Sequence, residues 1–570
     1  MALEHHMTSL PGVKDRRQRA LQGFILESCF TLLNRLAALK LMEHRGLVIE
    51  CLSDGIESEG ARLFRQVAPA TSHDIEGSYR TFLELLFDDI SNDVRLLFDR
   101  SMPASFLFPK GGALKSVLEI LNDSAIKPVW DEDEALGWIY QYFTPKDLRE
   151  KVRKESSAPR NSYELAIRNQ FYTPEYVVRF LVENTLGRLW WEMNPDTSLQ
   201  SRDYLVYRAN ESPPLRTPKD PRQIRILDPA CGSGHFLHYC YDLLQIIYRE
   251  AYDGHAAGED LRKEYSSIKD LEHALPSLIL SENLYGIDID LRACQLTALS
   301  LYLRAKRENP EADITRVNAA HATAMPGEES VFEEFLGRFS NGPRASIIKG
   351  ILKGIWEEVG DLVSEAGSLL RPETGLHKCI EDIRNKYEDN KTGQLMLQEM
   401  LGPEYEQGEL PIDVIHTEEF WRGLEPEVLK ALEEYAEEQT RESVIRRLFA
   451  EDAAHGFAFL DTLMRSYDVI LMNPPFGSAS KPSKKYIDSN YPRTKNDVYA
   501  AFVERGLELL YPGGYLGAIT SRTGFFLTSF QKWREEILLT DTDIIAFADL
   551  GQGVLDTAMV ETAAYILRKK

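Results

Sequence analysis

Cysteine is scarce and scattered: six occur in 570 residues, at 29, 51, 231, 240, 294 and 379. No Cys-x-x-Cys or comparable spacing pairs them, which argues against a zinc ribbon, a disulfide scaffold or any other cysteine-held metal centre. Buried thiols in a reducing cytoplasm are the expectation, with no metal site. No apolar run reaches membrane-spanning length, and no secretory h-region follows Met1. Positive charge is also short. Lys and Arg number 66 against 89 Asp and Glu, a net charge of −23. A protein that coats DNA depends on cations to neutralise phosphates, so that class is disfavoured. Any nucleic-acid contact must come from a local basic surface or from another chain. The hydrophobic content of 43% is ordinary for a globular protein. The length exceeds what one core organises and suggests roughly two to four domains.

The most informative stretch is Tyr467-Asp-Val-Ile-Leu-Met-Asn473-Pro474-Pro475-Phe476-Gly477. Val469 to Met472 reads as a buried strand. Two prolines stop it and stiffen the loop, because each fixes its own φ and restricts the residue before it. The Asn473 amide and the Phe476 ring are thereby held at a strand's carboxyl end, where open α/β sheets bind ligands. This chemistry suits a planar amine. The Asn side-chain oxygen and a proline carbonyl can each accept one N–H of an exocyclic NH2, while the ring stacks on the heterocycle. The competing reading is a strand-to-turn junction without chemical meaning. Asn473-Pro474-Pro475-Phe476 resembles the catalytic motif of the amino-methyltransferases, and its Phe form is most similar to that of the N6-adenine DNA enzymes.

Earlier in the chain, apolar residues recur every three or four positions from about 15 to 45, from Tyr79 to Leu97 and from Leu114 to Leu121, with Gly46 closing the first run. The first 130 or so residues are expected to be helical and to carry no catalytic group. A basic segment follows, with Lys146, Arg149, Lys151, Arg153, Lys154, Arg160 and Arg168. It reads either as a solvated helix face or as a phosphate-contacting strip. Phe171-Tyr172-Thr173-Pro174-Glu175 reads as a helix start with Thr173 as N-cap and Pro174 at the first helical position. An ordinary capped helix explains it. It also resembles the Tyr-Thr-Pro element of γ-class DNA methyltransferases, which meets the methionine end of S-adenosylmethionine; that resemblance implies a cofactor role for Tyr172, Thr173 and Pro174.

Ile224 to Leu237 reads as a strand, a small-residue turn and a helix from about Gly234 to Tyr248, with Asp228-Pro229-Ala230-Cys231-Gly232-Ser233-Gly234 at the turn. Small residues let a ligand approach the backbone, and glycine permits positive φ. A bare Gly-x-Gly is weak, and the turn lacks both the third glycine of the dinucleotide fingerprint and a P-loop lysine. The full motif resembles motif I of the S-adenosylmethionine-dependent DNA methyltransferases. That likeness implies Asp228 near the donor's amino-acid end, with Ala230, Gly232 and Gly234 lining the close approach. A second strand, Leu284 to Asp290, places Asp288 where a carboxylate accepts both ribose hydroxyls. Its long separation from the glycine turn is ascribed to a loop insertion at about 254–270. The third strand, Ile314 to His321, is poorly marked. The Asp that relatives use there for the cofactor adenine is lacking, and Asn318 or a backbone carbonyl is the substitute considered.

From 329 to about 455 the α/β alternation breaks, and apolar residues at helical spacing, such as Ile348 to Val363 and Val428 to Leu448, suggest a helical insertion of structural or interaction character. Lys481, Lys484 and Lys485 follow the Asn-Pro-Pro-Phe loop, with Arg493 and Lys495 beyond. They are candidate contacts to DNA backbone around an extruded base, against the alternative of a flexible basic loop. A helix from Asp497 and three closing strands then resemble the later motifs of the same family. At Gly553-Val554-Leu555-Asp556 a leucine stands where many relatives place an aromatic against the flipped base.

Taken in order, these elements resemble the γ arrangement of N6-adenine DNA methyltransferases over roughly 165–570, and most of all the BREX phage-defence adenine methyltransferases and the type IIG restriction-modification methylases. The resemblance implies an α/β Rossmann-like S-adenosylmethionine-dependent methyltransferase fold. The expected division is an N-terminal helical domain (1–160), a cofactor half (161–328), a helical insertion (329–454) and a catalytic half (455–570). It implies Asn473, Pro474, Pro475 and Phe476 as catalytic residues, with Asn473 also beside the cofactor. Double-stranded DNA is the implied substrate and other defence-system proteins the implied partners, in the cytoplasm and without a membrane. Relatives continue into a target-recognition domain, so a partner subunit or a further segment is expected to read the sequence. The alternatives are an RNA, protein-glutamine or N4-cytosine methyltransferase, or a non-catalytic defence scaffold with this fold.

Overall fold

A computed structural model describes residues 16–323 with short gaps (72, 92, 101, 132–136, 140–142, 144–145, 157, 170, 208–214 and 315), 329–337, 349, 352–353, 356, 362–374, 431, and 444–570 except 556–559. Two compact units divide the chain. One holds Gln22–Ala319 and Ser466–Lys570, and the other Met1–Leu21 and Ala320–Arg465.

The organising element is a seven-stranded sheet: β1 (Ile226–Asp228), β2 (Leu284–Asp288), β3 (Asn318–His321), β4 (Tyr467–Met472), β5 (Leu510–Ser521), β6 (Thr542–Gly551) and β7 (Thr562–Lys569). Their order is β3-β2-β1-β4-β5-β7-β6. β1 is parallel to β2 and β4, and β4 to β5, whereas β7 runs antiparallel between β5 and β6. Every residue of β1 and β4 is buried, as expected of central parallel strands covered on both faces. Apart from Asp228 and Asp468, both strands are apolar and do not alternate. β6, at the edge, is less buried and exposes Ile544 and Phe547, on either side of a register shift between Ile544 and Ala546.

The sheet is wound in both directions from β1. The chain leaves β1 through helix α1 (His235–Tyr252) to reach β2 on one side, and β4 lies on the other. Such a reversal opens a crevice at the carboxyl ends of the two strands. The register pairs Ile226 with Val469 and Leu227 with Ile470, which brings the ends of β1 and β4 to the same edge. Helix α2 (Leu291–Glu308) follows β2, and helix α3 (Val498–Leu509) precedes β5.

The stretch expected as a loop between the glycine turn and β2 is instead helical. It holds a short helix at Glu259–Glu264 and a longer one at Ile268–Leu278, the latter started by the Ser267 hydroxyl accepting from Asp270 N. Within the acidic stretch Ala257 and Leu261 are buried, and just beyond it the longer helix buries Leu271 and Leu275. Helices do form at Arg16–His44, Ile75–Ser91 and Gly111–Leu121, and Gly46, with φ 69°, takes the left-handed conformation just beyond the first. From Gln22 they share a unit with the sheet. Tyr302 on α2 donates to Asp93 at 2.7 Å, and Gln295 donates to the Leu96 carbonyl at 3.2 Å. In the other unit, Glu329–Leu336 and Val444–Met464 are helical, and Phe332 stacks on Trp356. Most of the apolar positions from which the helical insertion was read lie outside the described residues. Among those described, no helix is long and apolar enough to cross a membrane.

Candidate active site at the carboxyl edge of the sheet

The turn after β1 is held by backbone N–H groups donating to carboxylates. Asp228 is 1% exposed, and its Oδ1 accepts from Ala230 N at 3.1 Å. Burial pushes its carboxyl well above the usual range, against the Ala230 hydrogen bond, with Asp288 adding to the rise. Asp288 joins the two strand ends: its Oδ2 accepts from Gly232 N and its Oδ1 from Asp290 N, both at 2.9 Å. Loss of solvation, then Asp290, raises its carboxyl to about 6. Each oxygen keeps a further acceptor position. Cys231 N donates to the Ile287 carbonyl at 2.9 Å. Thr297 donates from its hydroxyl to the Gly232 carbonyl at 3.0 Å, which ties the turn to α2.

The two glycines of this turn have different tasks. Both have positive φ, 55° at Gly232 and 86° at Gly234. A Cβ on Gly234 would lie 3.2 Å from the Thr297 side chain, whereas one on Gly232 would meet nothing within 4 Å. Gly234 is therefore needed for packing. Gly232 leaves open space beside the Asp288 carboxylate.

At the end of β4 the Asn473 amide reaches across three hundred residues of chain. Its Nδ2 donates to the Thr173 hydroxyl at 3.0 Å, and its buried Oδ1 has no hydrogen-bond partner. A buried unsatisfied acceptor costs about 1–3 kcal/mol, so it calls for a reason. The helix after Thr173 runs Glu175–Val182 with extended Pro174 at its N-cap and no side-chain cap. The expected capping role of Thr173 is thus corrected: Pro174 lies outside the helix, and the Thr173 hydroxyl serves Asn473. Tyr172 sets its ring edge-on to His235, 4.2 Å between centroids, at the start of α1. Burial, then the neighbouring His238, lowers His235 to about 4. The Tyr-Thr-Pro element therefore touches both the glycine turn's helix and the Asn-Pro-Pro-Phe loop.

Phe476 is fixed from three directions. Its N–H donates to Asn169 Oδ1 at 2.9 Å, Phe171 faces its ring at 6.1 Å and 29°, and Tyr499 meets it at 6.3 Å and 70°. Gly477, with φ 104°, donates to Asp497 Oδ1 at 2.8 Å, and Val498 N donates back to the Gly477 carbonyl. Asp497 also begins α3 by accepting from Tyr499 N. Of these supports, Asn169 and Thr297 had no sequence signal, because a lone Asn or Thr is indistinguishable from any surface residue. Phe171 and Asp497 lie inside recognisable motifs, and only their contacts reveal the role.

The structure places other candidates away from the roles considered for them. Asn318 donates from Nδ2 to the carbonyls of Leu280, Ser281 and Leu284. These lie at the amino end of β2, opposite the edge where a ligand would bind, so Asn318 does not replace the adenine-side Asp. Lys481, Lys484 and Lys485 are exposed on helix Lys481–Asn490, begun by Ser480, rather than on a flexible loop. Lys484 pairs with Asp488 at 3.3 Å. Lys481 and Lys485 form no ion pair among the described residues. Arg493 is held by Glu504 and Asp541, and Arg160 and Arg168 are drawn to Glu164, so these cations are engaged within the protein. Among the described residues no group of His, Cys, Asp and Glu could hold a metal ion.

A doubly wound sheet with an antiparallel strand next to its edge, a glycine turn after β1 and an acidic end to β2 defines a Rossmann-like S-adenosylmethionine-dependent methyltransferase fold. Known families narrow this further. Residues 282–554 match the Eco57I restriction-modification methylase model, and residues 215–331 match the DNA-methyltransferase domain of MmeI. Over these stretches the chain is similar to methyltransferase domains of the Eco57I and MmeI kind. It is 23% identical to the adenine-specific methyltransferase BrxX of Escherichia coli O9:H4 (strain HS), over 93% of this chain and 39% of that one. It is 26% identical to the adenine-specific methyltransferase PglX of Lacticaseibacillus casei (strain Zhang), over 96% and 40%. The chain spans about two fifths of the length of these curated relatives. Among solved structures it is similar to a DrdV–DNA complex, with TM-score 0.41, 12% identity, and coverage of 100% of this chain and 41% of that one. The likeness to the BREX adenine methyltransferases and to restriction-modification methylases, drawn from the motifs, is borne out by the family models and the curated relatives.

Proposed function

We propose that this chain is the catalytic part of a site-specific DNA adenine N6-methyltransferase of a restriction-modification or phage-defence system, transferring a methyl group from S-adenosylmethionine to a flipped-out adenine. The observation that carries the reading is Asn473 Oδ1. It is a buried, unpaired acceptor at the tip of β4, next to an aromatic ring braced on three sides. An amine N–H is what such an oxygen lacks. Asn473 Oδ1 and the Pro474 carbonyl would each take one proton of N6, Pro475 would hold the loop rigid, and Phe476 would stack on the purine. With both protons held, the nitrogen lone pair is free to attack, and no side chain of the protein needs to act as a covalent nucleophile. A base inside a duplex is out of reach, so it must leave the stack.

The residues of the glycine turn fit the donor. The open space at Gly232 admits a ligand close to the backbone, and Asp288 retains lone pairs for ribose hydroxyls. Gly234 and Ala230 shape the same turn, and buried Asp228 acts by holding it. Tyr172, Thr173 and Pro174 would meet the methionine end, with Asn473 beside the methyl. When bound, S-adenosylmethionine supplies the activated methyl group; the protein's own work is placement.

Lys481, Lys484 and Lys485 are proposed to contact DNA phosphates. Sequence recognition is proposed to come from a partner subunit or a target-recognition domain, alongside other defence proteins, in the cytoplasm. The working division remains an N-terminal helical domain (1–160), a cofactor half (161–328), a helical insertion (329–454) and a catalytic half (455–570). Base-resolved mapping of DNA from cells expressing the wild type or Asn473→Ala tests the function. Expected is N6-methyladenine at one sequence, absent with the variant. Methylation of cytosine N4, of RNA or of protein alone would overturn the reading, as would a wild type that binds the donor and modifies nothing.

A further inference from the structure

The candidate site explains how an extracted base would be held, but not what would keep its place in the duplex open. Phe526 and Leu527 are 67% and 50% exposed, side by side in a loop. Such a pair is costly to leave in water, so its position matters. β5 runs parallel to β4 with Met472 opposite Ala518, and ends at Ser521. The loop therefore leaves the sheet at the same edge as Asn473.

The loop is braced. Arg534 donates to the carbonyls of Gly524 and Leu527, both at 2.7 Å, and Asn496 donates to the Ser529 carbonyl. Phe530, at its base, stacks on Tyr499, the ring that meets Phe476. Gly524 approaches Tyr499 so closely that a Cβ there would lie 2.4 Å from the hydroxyl oxygen. Arg522, pinned by Asp549 and Glu561, lies over the Phe526 ring at 5.8 Å. The tip is thus an apolar pair on a fixed support, joined through Tyr499 to the catalytic loop.

Its charge setting points to one occupant. Lys495, next to Asn496, and Lys532, five residues beyond Leu527, are exposed and form no ion pair among the described residues. Two exposed lysines near an exposed aromatic in the chain, in a protein of net charge −23, with Asn496 tying the Lys495 segment to the loop at Ser529, suit a base stack bordered by phosphates better than an apolar protein surface.

We propose that Phe526 and Leu527 form a wedge that enters the base stack of duplex DNA where the target adenine has left it, with Lys495 and Lys532 on the flanking phosphates. This rests on the DNA-adenine reading of the site. The wedge fills the vacated step and offsets the cost of unstacking, and the base stays with Phe476. It has no direct part in methyl transfer.

The test uses the full-length protein, S-adenosylmethionine and two oligonucleotide duplexes carrying the sequence mapped in cells. One is fully paired. In the other, an abasic site faces the target adenine and removes much of the work of extraction. For the double variant Phe526→Ala/Leu527→Ala, the rate on the paired duplex should fall about tenfold or more, and the rate on the abasic duplex should stay within about threefold of wild type. Phe526→Leu, which keeps an apolar tip, should lose less on the paired duplex. Wild-type rates of the double variant on both duplexes would overturn the wedge while leaving the methyltransferase reading intact. Equal loss on both would also overturn it, indicating general damage. A wild type that methylates adenine in neither duplex would remove the reading of the site itself.

Discussion

The two halves of the site meet the same problem, a strand ending in a polar loop, in opposite ways. At the end of β1 the polar groups satisfy one another: Asp228 takes Ala230 N, and Asp288 takes Gly232 N and Asp290 N. At the end of β4 the Asn473 amide is only half satisfied, with Nδ2 bound to Thr173 and Oδ1 unpaired. The first is a cradle whose shape is set by the protein's own hydrogen bonds. The second carries a local penalty that a correctly placed amine would relieve. Preorganisation on one side and an unmet acceptor on the other are what the proposed reading, with a donor and an amine in one site, requires.

The largest expected effect falls on the acceptor side. Asn473→Ala should lower methyl transfer by on the order of a hundredfold or more while donor binding changes far less, because a directed hydrogen-bond acceptor is lost at the reacting amine. Equal losses in transfer and donor affinity, read by single-turnover kinetics and a donor titration, would erase the distinction between the halves.

Asp497 supports the acceptor loop at a cost. Burial raises its carboxyl from the ordinary 3.8 to about 7, against the hydrogen bonds from Gly477 and Tyr499. Between those two values the folded protein holds a proton that the unfolded chain has released. Stability should therefore fall as pH rises through that window, by at most about 1.4 kcal/mol per unit, and level off above it. Asp497→Asn should reduce the slope, leaving the part that Asp288 and Asp228 contribute. Denaturant midpoints from pH 5 to 8, on the order of the range proteins tolerate, would show it; an unchanged slope would assign the pH dependence elsewhere.

On the donor side the two glycines separate folding from binding. Gly234→Ala should destabilise by about 1–2 kcal/mol for the left-handed residue alone, and more from the Thr297 contact. Gly232→Ala should carry the conformational cost only, yet weaken donor binding more, since its Cβ would enter the open space. Urea midpoints and donor titrations on both variants would reverse the assignment if Gly234→Ala proved the milder for folding.

The smallest effect concerns the lysines after the Asn-Pro-Pro-Phe loop. Lys481→Ala/Lys485→Ala should leave stability unchanged and reduce the salt dependence of DNA binding by about two in the log–log slope. Lys484→Ala should do less, because Asp488 already competes for that ammonium. Identical slopes for all three would remove the DNA role.

The sequence alone determined the strands, the glycine turn, the acidic end of β2 and the Asn-Pro-Pro-Phe loop. Each is a local pattern of apolar runs, φ-restricting prolines and φ-permissive glycines whose meaning does not depend on distant residues. It read as a loop the stretch at 254–270, where charge hid short helical segments that bury Ala257 and Leu261, and offered Asn318 for a contact at the wrong end of a strand. What only the tertiary structure decided is which groups are already spent. Asn473 bound to Thr173 through one atom and free at the other, Phe476 gripped by Asn169, Arg493 neutralised by Glu504 and Asp541, and two exposed apolar side chains at the active edge all join residues far apart in the chain. Hydrogen-bond satisfaction and exposure are properties of the neighbours a side chain meets, and the parallel crossovers of the sheet set those neighbours.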